Sequence, residues 1–372
     1  MNNEKKKVLF ITPNLGGGGA EKVIVNILKF VDRKKIEPEY LALNLVGPFV
    51  ELLPEDIKVS DLQTEKVSKS IIKLIKSINK SNPDIIMSTL SNLNLAILFI
   101  KPFLRRKTKI IVRQSNTLNK IFEQYPYWKK CIYKLSYSYL YRKADKIIVQ
   151  SEGMKEDLLI MFPSLKDKVI RIPNPIDLNE ISVKLESVRK TSTEYNDGCK
   201  TIKIVAVGRL TYQKGFDTLL KAFKQLKKNK PNIQLSIVGE GPLKGELKEL
   251  TSKLDIMEDV DFKGFVNNPY EVIYNSDIFV LPSRYEGFPN ILLEALACET
   301  KIVATDCKSG PREILGANKY GTLVKVDDVN ELSNALLINI NGHARTAPGY
   351  QRALNYDVKN IVKQYEEALL KT

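Results

Sequence analysis

The chain is poor in histidine and cysteine, the imidazole and thiol side chains that zinc sites, disulfides and many nucleophilic mechanisms use. It has one histidine, His343, and four cysteines, Cys131, Cys199, Cys298 and Cys307, in 372 residues. The cysteines show no paired spacing, so neither a disulfide framework nor a zinc site has ligands to work with. His343 stands alone in Asn341-Gly342-His343, which argues against a Ser-His-Asp mechanism and suits a surface loop. Long apolar runs are missing too. The longest, residues 93–100, falls well short of the ~20 residues that cross a bilayer as a helix. The apolar run after residues 1–7 is too short for a signal peptide, so the cytoplasm is the expected compartment. Four glycines at 16–19 follow an apolar run but lack the Lys-Ser/Thr of a P-loop, and their spacing is not that of the G-x-G-x-x-G dinucleotide fingerprint.

Acid is scarce in one stretch. Residues 101–143 hold twelve Lys or Arg against a single acid, Glu123, and so carry +11 of the chain's net +15. Phe103, Phe122, Tyr125, Tyr127, Trp128, Tyr133, Tyr137, Tyr139 and Tyr141 are interleaved with those cations. The mixture suits the headgroup region of an anionic bilayer, on which the protein would lie. An ordinary basic helix face with its aromatics turned inward is the plainer account. Nucleic acid ranks below both, because no RRM, KH, zinc-finger or helix-turn-helix signature accompanies the patch.

What is present is the pattern of a soluble globular protein, with 43% hydrophobic and 27% charged residues, in a chain long enough for two domains. Strand-like runs at 7–12, 40–45, 85–88, 109–113 and 146–150 alternate with helical patterns. This predicts a parallel sheet covered on both faces. A Pro-rich crossover, Ile172-Pro173-Asn174-Pro175-Ile176-Asp177, closes that domain at 1–177, and a polar linker is expected over 178–200. A second α/β series fills 201–350, with strands at 202–208, 233–239, 261–264, 277–282 and 301–305 and helices at 216–228, 243–254 and 289–297. The segment 351–372 reads as a helical latch that either crosses back to the first domain or packs within the second. The fold class is therefore α/β, two Rossmann-like domains facing across a cleft, with ligands expected at the carboxyl ends of strands.

Two segments of the second domain carry the chemistry. Gly208-Arg209-Leu210-Thr211-Tyr212-Gln213-Lys214-Gly215 puts a planar guanidinium and a point charge just after a strand, a pairing suited to a diphosphate. Ser283-Arg284-Tyr285-Glu286-Gly287-Phe288-Pro289-Asn290 turns from a strand into a helix that carries Glu294 one turn on. Pro289 suits the first helical turn, so the amides of Asn290, Ile291 and Leu292 are expected to point outward as an anion site. Glu294 could then take ribose hydroxyls, and Glu286 would face a sugar. The alternative is that both glutamates are solvated charges near a helix start.

These segments, with Ile237-Val238-Gly239-Glu240-Gly241-Pro242 and Phe262-Lys263-Gly264-Phe265-Val266 between them, closely resemble the family 4 retaining glycosyltransferases of GT-B fold. The glycines at 16–19 and the crossover at 173–177 resemble the same family. The resemblance implies that Arg209 and Lys214 bind the donor diphosphate beside Gly208, Glu294 the ribose, and Glu286 the donor sugar or reaction centre. Phe265 and Val266 would receive the base, and Gly17 and Gly18 would approach the donor from the first domain. It implies a UDP-linked hexose or N-acetylhexosamine as donor, no cofactor and no metal, and a lipid-linked or growing glycan of bacterial surface polysaccharide as acceptor. Work at the inner face of the cell membrane follows. Where many relatives carry a histidine, this chain reads Arg113-Gln114-Ser115-Asn116, which makes Arg113, Ser115 and Asn116 candidate acceptor-side contacts. A UDP-sugar epimerase of the same fold is the enzymatic rival, and a nonenzymatic binder of nucleic acid or acidic polymer the rival of another class.

Overall fold

The computed structural model describes residues 5–105, 107–118, 122, 125–191, 201–344 and 346–372. They form two compact units, 1–175 with 357–372, and 176–356. The first unit runs β1 Lys6–Thr12, α1 Gly19–Phe30, β2 Ile36–Ala42, β3 Lys58–Asp61, α2 Val67–Ser81, β4 Ile85–Thr89 and α3 Ser91–Ile100. It continues through β5 Lys109–Arg113, α4 Tyr127–Leu140, β6 Lys146–Val149, α5 Glu152–Met161 and β7 Val169–Arg171. The second unit opens with α6 Leu178–Thr191, β8 Ile202–Val207, α7 Phe216–Asn229, β9 Ile233–Val238, α8 Lys244–Lys253 and β10 Val260–Gly264. It goes on to α9 Pro269–Tyr274, β11 Ile278–Leu281, α10 Asn290–Ala297, β12 Lys301–Thr305, α11 Pro311–Ile314, β13 Thr322–Val324, α12 Val329–Ile340 and α13 Gly349–Ala353. The last helix, α14 Val358–Leu370, belongs to the first unit.

Both sheets are parallel, in the orders β3-β2-β1-β4-β5-β6-β7 and β10-β9-β8-β11-β12-β13. Their central strands read as unbroken apolar runs because alternate residues enter two different cores. In β1, Leu9 and Ile11 pack with Leu74, Ile97 and Leu158 on one face, while Val8 and Phe10 pack with Ile24 and Leu28 of α1 on the other. In β8, Val205 and its neighbours Ile204 and Ala206 divide in the same way between the second unit's two cores. Helix starts are fixed locally. Ser151 accepts from the Met154 amide at 3.2 Å to open α5, and Asp328 accepts from Glu331 at 2.8 Å to open α12.

Two domain boundaries differ from the sequence expectation. The segment 178–200 is not a linker throughout, since α6 occupies its first part and buries Leu178, Ile181 and Leu185 in the second unit's core. Residues 192–200 lie outside the described residues. The 351–372 segment divides: residues up to Tyr356 stay with the second unit, and α14 returns to the first. There Val358, Ile361, Val362, Tyr365 and Leu369, at helical spacing, close the core over α1.

That return is pinned by a buried cation. Arg113, the last residue of β5, is 1% exposed. Its guanidinium donates to Tyr365 Oη at 3.2 Å, Thr89 Oγ1 at 3.3 Å and Asn174 Oδ1 at 2.5 Å. All three partners are neutral, so each bond carries part of the cost of burying the charge. Tyr365→Phe should remove one of them and lower the first unit's stability by about 2 kcal/mol. Urea unfolding followed by circular dichroism checks this, and an unchanged midpoint would mean that the hydroxyl is dispensable.

Candidate donor site

The strand order of the second unit reverses between β8 and β11, and the loops that leave their carboxyl ends are the two segments singled out above. Such a reversal opens a crevice at the edge of a parallel sheet. The loop after β8 turns at Tyr212–Lys214 and enters α7 through Gly215. Gly215 has φ +63°, and a Cβ placed there would lie 2.1 Å from the Pro282 carbonyl oxygen. Only glycine lets the two loops pack this closely. The loop after β9 is laced to the same place, with Gly208 N–H donating to Val238 O at 2.9 Å and Leu210 N–H to Glu240 O at 2.9 Å.

This packing brings charged side chains together across the crevice. Lys214 Nζ donates to Glu286 Oε1 at 2.6 Å, and Ser283 Oγ donates to the same oxygen at 2.6 Å. Glu286 is 7% exposed. Arg209 is exposed, and its guanidinium has no side-chain partner among the described residues. The site thus holds one carboxylate fixed between an ammonium and a hydroxyl, with a second cation beside it.

Arg284, the residue between Ser283 and Tyr285, builds the scaffold. It donates to both oxygens of Asp217 at 2.9 and 2.8 Å, to Asp327 at 3.1 Å and to the Tyr212 carbonyl at 2.8 Å. Its guanidinium also lies 4.1 Å from the Tyr212 ring centroid. Partial burial opposes the charge on Asp217, but the bonds from Arg284 and its charge prevail and hold the carboxyl below its ordinary range. Sequence reasoning gave Arg284 no role, because its partners lie far along the chain and no local pattern marks them.

The helix start differs from expectation. Pro289 is the N-cap of α10, with Asn290 the first helical residue. The Leu292 amide donates to Pro289 O at 3.1 Å, so it is not one of the outward donors expected of Asn290, Ile291 and Leu292. Glu294 is half-buried on α10. Burial first, and then the negative charge of Glu294, push the Tyr270 phenol well above its ordinary value. Phe265 is exposed beyond β10, while Val266 packs partly against the core that holds α10.

Cys307 also reaches this site. Burial first and the Glu286 charge second push its thiol up to about 12. The thiol lies 3.9 Å from the Ser309 carbonyl oxygen.

In the first unit, Gly17 (φ +89°) and Gly18 precede α1 at the carboxyl end of β1. A Cβ at Gly18 would meet Glu21 Oε2 at 2.5 Å, so a carboxylate already lies against this glycine loop. Of the acceptor-side candidates, Arg113 is engaged inside the unit as described, Ser115 is half-buried and Asn116 is exposed. The Asn116 carbonyl accepts from Gln114 Nε2 at 3.0 Å.

The comparisons with known proteins agree with this architecture. Residues 17–180 match the family model described as Glycosyltransferase Family 4, and residues 190–345 match that described as Glycosyl transferases group 1. The chain belongs to the family 4 glycosyltransferases of GT-B fold. It is 31% identical to an uncharacterized glycosyltransferase of Methanocaldococcus jannaschii, over 98% of each chain. It is 32% identical, over 87% of each chain, to the N-acetylgalactosamine-N,N'-diacetylbacillosaminyl-diphospho-undecaprenol 4-alpha-N-acetylgalactosaminyltransferase of Campylobacter jejuni. Among solved structures it is similar in fold to Anabaena HepE in complex with UDP-glucose, with TM-score 0.79 and 19% identity over 99% of this chain and 100% of that one.

Two outcomes test the site's packing. Gly215→Ala should force the backbone away from Pro282, separate Lys214 from Glu286 and cost about 2 kcal/mol or more, read by thermal unfolding. In the native protein at pH 8, iodoacetamide should modify exposed Cys131 quickly and Cys307 only after denaturation, as peptide mass spectrometry would show. Rapid native labelling of Cys307 would contradict the closed loop.

Proposed function

We propose that this glycosyltransferase moves a hexose or N-acetylhexosamine from a UDP-sugar to a lipid-linked or growing glycan, with retention of anomeric configuration. The observation that carries the donor half is the Lys214–Glu286 contact at 2.6 Å, set at the strand-order reversal with Arg209 exposed beside it. Lys214 and Arg209 would supply the positive charge that a departing diphosphate needs, without calling on a metal ion. Lys214 would then exchange part of its contact with Glu286 for phosphate oxygens. That exchange would release the Glu286 carboxylate toward the sugar, still steadied by Ser283. Glu294 would take the ribose hydroxyls, and Phe265 and Val266 would flank the base. The leaving phosphate would help deprotonate the acceptor on the same face.

The acceptor half rests on the relatives. The Campylobacter enzyme named above carries diphospho-undecaprenol in its name, and another relative, 25% identical over 98% of this chain, is an amylovoran biosynthesis glycosyltransferase of Erwinia amylovora. The UDP-glucose complex of the structurally similar HepE supports UDP as the carrier. A lipid-linked acceptor also accords with an anionic membrane surface met through 101–143 from the cytoplasmic side.

A panel of nucleotide sugars tested for thermal stabilisation, donor hydrolysis and transfer to lipid-linked acceptors is the direct test. Lys214→Ala or Glu294→Ala should lower transfer by about 100-fold or more while leaving the circular dichroism spectrum unchanged. Near-normal turnover in either variant, or stabilisation by a non-uridine nucleotide alone, would overturn the assignment.

A further inference from the structure

Helix α4 is apolar on two opposite faces. Tyr133 and Tyr137, with Tyr141 just past the helix end, lie four residues apart and turn inward, and Tyr137 and Tyr141 are completely enclosed. Tyr137 lies between the rings of Phe122 at 5.6 Å, Tyr141 at 4.5 Å and Phe162 at 6.3 Å, which fixes the helix rigidly on its unit. The opposite face carries a second stripe, Trp128, Ile132, Leu135 and Tyr139, at steps of four, three and four. These side chains are 60%, 56%, 72% and 64% exposed, and Tyr127 at the helix start is 83% exposed. A contiguous line of large apolar side chains on the outward face of an anchored helix is a binding surface, not a core.

Its charges say what it binds. No Asp or Glu lies between residues 126 and 144, whereas Lys129, Lys130, Lys134, Arg142 and Lys143 do. Lys129 Nζ lies 5.2 Å from the Trp128 ring and Lys143 Nζ 4.7 Å from the Tyr139 ring, so ammonium groups border the stripe at both ends. A protein partner with a matching groove would meet these desolvated lysines at a cost. A lipid surface accepts rings and aliphatic chains below the headgroups and ammonium groups among the phosphates.

We propose that the outward face of α4 docks on an anionic bilayer, with Trp128, Ile132, Leu135 and Tyr139 entering the interface and the flanking lysines facing phosphate. This deepens the reading of a lipid-linked acceptor, which requires the protein to meet a membrane, and names the helix face that does so. Phe99 and Phe103, exposed at and just beyond the end of α3, add apolar area on the same unit.

Trp128 is the chain's only tryptophan, so its fluorescence reports on this face without labelling. The full-length protein should float with vesicles of 70% phosphatidylcholine and 30% phosphatidylglycerol and show a blue-shifted emission quenched by brominated lipid. Binding to phosphatidylcholine alone should be far weaker. Lys129→Gln and Lys143→Gln together, the two lysines that border the stripe, should weaken binding about 25-fold, at about fivefold per lysine. Ile132→Ser with Leu135→Ser should weaken it at least tenfold while leaving the salt dependence in place. Vesicles free of donor and acceptor report on this face alone, so absence of binding would overturn the docking proposal and leave the transferase reading standing. Vesicle binding with unshifted Trp128 emission, a blue shift on concentrating the protein without lipid, or preference for single-stranded nucleic acid over vesicles would each overturn it as well.

Discussion

A parallel sheet whose strand order reverses has, at that one place, two neighbouring strands with no crossover packed over their shared edge. The candidate donor site depends on that constraint. The loops after β8 and β11 are free to approach each other because no helix is required between them. Everything else in the site limits how they approach. Gly215 lets the backbone contact Pro282, Arg284 ties the second loop to Asp217 and Asp327, and Thr305 reaches across from β12 to the Ser283 carbonyl at 2.5 Å. Lys214 and Glu286, 72 residues apart, meet as a result of that framework.

The framework separates two uses of arginine and lysine. Arg284 spends its donors on two carboxylates, a carbonyl and a ring face, and its charge is neutralised within the protein. Arg209, exposed in the loop after β8, has not been committed in this way. Arg113 is a third case, a guanidinium enclosed by neutral oxygens that joins β4, β5, the crossover and α14. Chain chemistry alone does not distinguish these cations. Their surroundings do.

Much of this is legible in the amino-acid sequence. Central strands such as β1, β8 and β11 stand out because both of their faces are buried, which leaves no polar alternation to confuse them. The motif residues Arg209, Lys214 and Glu286 stand out because each follows a strand end in an α/β pattern. Edge strands β3, β7 and β13 did not, being three or four residues long and partly polar. Helix α6 was hidden for a related reason: its polar second half runs into a turn signal at 196–198, which masked Ile181 and Leu185 as core residues. The inward bond of the Leu292 amide is not legible in the sequence, because a single i to i−3 bond at a helix start leaves no trace in composition. Contacts such as Arg284 with Asp327 and Arg113 with Tyr365 are set by topology and have no local signature.

The return of α14 to the first unit has a consequence for synthesis. As the chain emerges from the ribosome, residues 1–175 are available first, yet Tyr365 and its neighbours, which seal the core over α1 and contact Arg113, emerge only after the whole of 176–356. The second unit, contained in 176–356, has all of its residues before the first unit does. Vectorial synthesis therefore inverts the order of completion: the half made first must wait, with an open apolar face and a buried cation short of a partner, for the half made second. A ribosome that stops before α14 releases a finished second unit attached to an unfinished first one.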